Sequence, residues 1–210
     1  MPSAESMLMV TLAGLALSAS PGPSMLYVLS RSIGQHRRAG LYSAAGLAIG
    51  GIVHAIAAAA GLSVLVSYYP TMYRVIAALG AGYLIYLGVQ MFLARNERIG
   101  GPTEVAQEPP GRILLQGILV EVLNPKTALF FIAFLPQFID YNGDGVMLQV
   151  LILGMLIPLT AIPSDLLVAF TGGTVARRIS DNDAARRTLN CLGAVLLIAL
   201  GLRLILSEIG

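Results

Sequence analysis

Charge is scarce in this chain, tryptophan is absent and cysteine occurs once. Each shortage removes a class of protein. Charged residues fill 11% of the 210 positions, against roughly 25% in an average soluble domain, so an ordinary water-facing surface cannot be built. Cys191 has no partner for an intrachain disulfide and lies in an apolar run, so it reads as packing filler rather than a nucleophile. Two histidines, His36 and His54, make no metal-ligand spacing with it, and neither metal nor cofactor is expected. The same shortage argues against a membrane-embedded hydrolase, which needs a nucleophile with its base or a ligand cluster. A net charge of +2 without a basic tract gives no case for nucleic acid. With no tryptophan, Tyr68, Tyr69 and Tyr73 are left to serve as interfacial anchors.

What remains is apolar. Hydrophobic residues make up 56% of the chain and mean hydropathy is +0.79. The apolar stretches run continuously instead of at a period of 2 or 3.6, the pattern of helices that are greasy on every face. About twenty such residues cross a bilayer core. Six segments qualify: Met7–Leu29, Gly40–Val66, Thr71–Leu93, Ile113–Ile139, Val146–Gly173 and Leu189–Leu206. Pro158 and Pro163 in the fifth predict a tilt or kink within one crossing. Met7 to Leu17 has the look of a signal-peptide core, but Glu5 stands where a positive n-region belongs, so the segment is read as a retained first span.

Ten of the thirteen basic residues fall in alternate loops: Arg31, Arg37 and Arg38; Arg95, Arg98 and Arg112; Arg177, Arg178, Arg186 and Arg187. The positive-inside rule places those loops in the cytoplasm and both termini outside. The middle loop, with Gly100-Gly101-Pro102 and Pro109-Pro110-Gly111, reads as a flexible tether. The expected fold is therefore all-α and integral to the membrane, one transporter domain over 1–210. It divides into a three-helix repeat over 1–93, a cytoplasmic linker over 94–112 and a second repeat over 113–210. Three spans per half is an odd number, so the halves enter the membrane in opposite senses, as two inverted repeats. Spans three and six share a Leu-Gly ending, Leu87-Gly88 against Leu200-Gly201.

Two apolar runs are interrupted at corresponding places. Ser20-Pro21-Gly22-Pro23 breaks the first and Asn124-Pro125-Lys126 breaks the fourth. Broken helix at membrane depth persists only where it is packed in protein or lines a polar cavity, and paired breaks point to a carrier's binding site. Each break starts a new half-helix whose first N–H groups are free and partly positive. Ser24 and Met25 offer such amides after Pro23, and Lys126 adds a full charge after Pro125. Four ionisable side chains lie well inside the spans: His54, Glu121, Lys126 and Asp165. Such groups are expensive in lipid and usually pair inward or line a pathway. The reading is a substrate carboxylate at the half-helix starts, with Glu121 or Asp165 receiving its ammonium. The bland alternatives are a packing kink at Pro21, a structural Lys126–Asp165 ion pair and a His54 that only makes an interhelical hydrogen bond. A cation carrier or channel using Glu121 and Asp165 is the competing function, opposed by the nearby Lys126. Glu121, Asp165 and His54 are the buried groups able to relay protons. Gly46 and Gly50 form a G-x-x-x-G spacing suited to close helix packing, with a homodimer seam as the sharper reading.

These residues resemble a known family. Pro21-Gly22-Pro23, Ser30-Arg31-Ser32, Gly40, Gly46 and Gly50 are similar to the opening of the LysE/RhtB amino-acid exporters. So is Asn124-Pro125-Lys126 with Phe130-Phe131 and Phe134-Leu135-Pro136-Gln137-Phe138. The resemblance covers nearly the whole chain. It implies export of amino acids or close derivatives across the bacterial inner membrane, driven by the proton motive force. Members of that family often carry Asn three residues before Asn-Pro-Lys, where this chain has Glu121. An acid there favours a cationic substrate or proton coupling.

Overall fold

The computed structural model describes residues 1–19, 22–68, 70–93, 106–141, 145–171, 174 and 182–209. Ser20, Pro21, Tyr69, the tether around Gly100-Gly101-Pro102, and Arg95, Arg98, Arg177 and Arg178 lie outside the described residues, as do the side chains of Tyr68, Tyr73, Arg186 and Arg203. Among the described residues the chain is helical and has no strand. The helices are α1 (Ala4–Ala19), α2 (Pro23–Gly34), α3 (Arg37–Tyr68), α4 (Pro70–Leu93), α5 (Pro110–Val122), α6 (Pro125–Phe134), α7 (Val146–Thr171) and α8 (Asp183–Ile209), with a 3₁₀ turn over Leu135–Phe138.

Among the described residues, α3 and α7 are long and apolar enough to cross a membrane, and there are four such spans if each bent pair counts as one. The pairs are α1 with α2, bent by 53°, and α5 with α6, bent by 48°. Both bends fall at the proline motifs. Pro23 and Pro125 stand at the first turn of α2 and α6, where a missing N–H breaks no helical bond. In α4 and α8 the apolar stretches that stand out are the shorter Ala78–Leu93 and Asn190–Leu202. α7 runs unbroken past Pro158 and Pro163.

Large apolar side chains cover the exterior, among them Leu12, Leu15, Ile49, Val53, Leu119, Leu159, Leu192 and Val195. So many exposed large apolar side chains suit lipid contact, not water. Inside, the main core joins Val10, Leu84, Leu153 and Leu197 to the α6 aromatics. There Phe130 and Phe134 stack at 4.6 Å and Phe138 follows at 4.8 Å. A second cluster ties Val28 and Leu29 of α2 to Leu47 of α3 and Val168 of α7.

Glycines let the helices approach closely, and they do so in mirrored pairs. α3 packs most extensively on α7 and α5, and α4 on α8. A Cβ on Gly88 would stand 2.9 Å from the Ala194 carbonyl oxygen and 2.6 Å from Ile198 Cγ1. A Cβ on Gly201 would stand 2.8 Å from the Ala81 carbonyl oxygen and 2.7 Å from Ile85 Cγ1. Each glycine thus meets the residues seven and three places before the other, an antiparallel reciprocal contact. The Gly46 and Gly50 face is occupied within the chain: Gly46 lies on Gly117, and a Cβ on Gly50 would stand 2.6 Å from Glu121 Cβ.

Arg31 departs from the loop position expected of it. It lies in the last turn of α2 and is buried. Its guanidinium donates to Gln35 Oε1 (2.9 Å), the Ala106 carbonyl (2.9 Å) and Gln116 Oε1 (2.7 Å). Tyr27 reaches the same corner by donating to the Ile113 carbonyl at 2.7 Å. These bonds offset the burial of the charge and fix the start of the second half against α2.

Gly88→Leu is expected to lower the thermal stability of the detergent-solubilised protein, since overpacking a tight contact costs about 1–3 kcal/mol. Gly82→Leu, where an added Cβ meets nothing within 4 Å, is expected to leave the melting curve in place. Equal curves for both would refute the α4–α8 contact.

Candidate functional site

A helical carbonyl accepts from the N–H four residues ahead, and proline has none. Pro21 therefore frees the Leu17 carbonyl and Pro125 frees that of Glu121. Each finds a donor from elsewhere in the fold. Lys126 Nζ donates to the Leu17 carbonyl at 2.9 Å. His54 Nε2 lies 2.9 Å from the Glu121 carbonyl, which also accepts from the Asn124 N–H at 3.0 Å. A carbonyl only accepts, so His54 carries its proton on Nε2 here. The imidazole is stacked on Phe131 with 5.5 Å between ring centres.

The second break is capped by its own sequence. Asn124 is the N-cap of α6, and its Oδ1 accepts from the Lys126 N–H at 3.0 Å. Its Nδ2 donates to Ser24 Oγ at 2.9 Å, linking α6 to the first turn of α2. With that acceptor role filled, the Ser24 hydroxyl donates to Glu121 Oε2. Thr127, in the first turn of α6, donates to Glu121 Oε1 at 2.8 Å. Both carboxylate oxygens of Glu121 are thus held by hydroxyls from the starts of the two half-helices, where helix dipoles favour an anion.

A cavity of about 660 Å³ including its mouth opens beside this network. Its walls hold Gly22, Ser24 and Met25 from the first break, Glu121, Asn124 and Lys126 from the second, and Asp165 from α7. The remaining lining is mostly apolar, with Leu17, Leu47, Phe131, Ile157 and Pro158, plus the small residues Gly14, Ser18, Gly51 and Ala161. The three groups Glu121, Lys126 and Asp165 therefore border one space. Pro23 and Pro125 do not line it and are exposed, while His54 stands behind the Glu121 backbone. Ser20 and Pro21 lie outside the described residues. Thr127 and Ser18 escaped the sequence reading. Thr127 was within reach of it, because a hydroxyl two residues after the helix-starting Pro125 lies in the first turn.

The arrangement offers a polar end carrying both signs of charge and an otherwise greasy pocket, the chemistry of a small amphipathic zwitterion. A model of the LysE type translocators matches residues 15–208. The chain belongs to that family. Among other LysE translocator relatives, a leucine efflux protein of Klebsiella pneumoniae subsp. pneumoniae is 29% identical over 184 residues, 88% of this chain and 87% of the relative. A leucine efflux protein of Enterobacter sp. is 30% identical over the same shares, and one of Salmonella typhimurium is 28% identical. No solved structure matches this chain. Membership makes the chain a membrane translocator of a transporter family.

His54→Phe keeps an aromatic ring against Phe131 and removes one of the two donors to the Glu121 carbonyl, leaving the Asn124 N–H. It is expected to destabilise the protein by about 0.5–1.5 kcal/mol, the net worth of one hydrogen bond. Thermal unfolding in detergent measures it; a stability equal to wild type would mean that this carbonyl does not depend on His54.

Proposed function

We propose that this protein is a secondary active exporter of amino acids with apolar side chains, working across the bacterial inner membrane. The observation that carries the reading is the cavity shared by the two helix breaks, lined mostly by apolar and small residues, with the polar Ser18, Ser24, Asn124 and Thr127 and the charged Glu121, Lys126 and Asp165 on its walls. The substrate carboxylate goes to the Ser24 and Thr127 hydroxyls at the starts of α2 and α6, with the Lys126 ammonium nearby. Asp165, on the α7 wall of the cavity, takes the substrate ammonium. Met25, Leu47, Phe131 and Ile157 receive the side chain, a lining that suits leucine, the substrate named for the relatives. A cation carrier finds no support: a metal at Glu121 would have to displace hydroxyls from both of its oxygens.

The architecture we infer is six spans in two inverted three-helix repeats, 1–93 and 113–210, joined by a cytoplasmic linker. The reciprocal Gly88 and Gly201 contacts favour it. So does a second pair: Gly51 is closest to Pro158, and Gly154 is closest to Ala55 and Phe131. Helices that meet on glycine slide with little side-chain interlock, which suits rocking of one repeat against the other. Proton coupling is assigned to Glu121 and Asp165. His54 is a positioning residue in this scheme, since its Nε2 proton is engaged by the Glu121 carbonyl. The arginine bias sets both termini outside.

Two outcomes test this reading. Lys126→Ala is expected to abolish leucine efflux from loaded cells while the protein still inserts, because removing a buried charge lowers the insertion cost of its span. Near-normal efflux by correctly inserted Lys126→Ala protein would refute the site. Alkaline phosphatase fused after Gly210 is expected to be active, and fused at Pro102 inactive; the reverse pattern would exchange the two faces.

A further inference from the structure

We propose that the Glu121 side chain is a tethered stand-in for the substrate's carboxylate, and that it lets the empty carrier return. The inference rests on the exporter reading of the cavity and adds a role for one residue within it. The anion-favouring corner is already filled by a carboxylate of the chain itself: Ser24 donates to one oxygen and Thr127 to the other at 2.8 Å. Asn124 orients Ser24 for that bond by occupying its oxygen from the other side. The donors come from the first turns of α2 and α6, one in each half of the chain. A carboxylate held between them therefore ties the two halves together as a bound substrate would.

The Glu121 side chain leaves α5 over Gly50, where a Cβ would stand 2.6 Å from Glu121 Cβ and 3.1 Å from its Cγ. The path is cut for this side chain. Two carboxylates cannot share one pair of hydroxyl donors, because each Ser or Thr hydroxyl carries a single proton to give. Substrate must displace Glu121 to bind, and Glu121 refills the corner when substrate leaves. A net exporter alternates between loaded and empty crossings, and only the empty one lacks a ligand to hold the halves in register. Glu121 supplies that hold, whereas exchange of substrate for substrate never makes the empty crossing.

Proteoliposomes separate these modes. Vesicles loaded with labelled leucine are diluted into leucine-free buffer for net efflux, or into unlabelled leucine for exchange, at the same pH on both sides. For Glu121→Ala the ratio of net efflux to exchange is expected to fall roughly tenfold or more, as the loss of two charge-assisted bonds implies. Exchange is expected to saturate at lower leucine, since the internal competitor is gone. Formate added on both sides, a diffusible carboxylate, is expected to restore net efflux in Glu121→Ala and to slow it in wild type. An unchanged ratio, or no response to formate in the variant, overturns the stand-in role while wild-type exchange leaves the exporter reading in place. Wild-type vesicles that show no leucine exchange overturn the exporter reading, and this inference falls with it.

Discussion

Two backbone carbonyls, on Leu17 and Glu121, lose their helical donors to prolines, and the polar interior is organised around replacing them. A buried carbonyl without a donor costs a large part of a hydrogen bond's gross strength in a low-dielectric setting. The chain meets the demand by bringing an ionisable side chain to each: Lys126 of α6 to Leu17 of α1, and His54 of α3 to Glu121 of α5. The first of these bonds joins the two halves of the chain at their breaks. Once Lys126 is drawn to Leu17, the α6 N-terminus is held close to α1, and Asn124 comes within reach of Ser24. The cavity is what lies between these braces.

Packing supports the same geometry from outside. Phe130, Phe131 and Phe134 anchor α6 in the main core, so the short helix after the break does not depend on its own hydrogen bonds for stability. Gly46 and Gly117 bring α3 against α5, which places His54 beside the Glu121 backbone. Polar groups at the site are thus set by backbone approach at glycine, with apolar side chains filling the remaining space.

Much of this was legible in the residues. Continuous apolar runs announced helices with greasy exteriors, and the two proline motifs located both bends, because proline's missing N–H acts at any site in any fold. Glu121, Lys126 and Asp165 were recognisable as candidates since charge is rare in such runs, and all three border one cavity. What escaped the reading depends on tertiary contact. No local pattern says that Arg31 is buried against Gln116 and Ala106, or that the Lys126 ammonium reaches a carbonyl over a hundred residues earlier. The orientation of Glu121 was likewise out of reach, because it depends on where α2 and α6 place Ser24 and Thr127.

The central claim is that the cavity between the two breaks receives the exported amino acid. Ser18, on its wall, is the place to ask. With Cys191 replaced by serine, a Ser18→Cys variant in membranes should react with a small maleimide at a rate that leucine slows in a saturable manner. A cysteine at Gly82, which does not line the cavity, should react at a rate indifferent to leucine. If leucine and other apolar amino acids leave the Ser18→Cys rate unchanged while transport proceeds, the substrate passes elsewhere and the account is wrong.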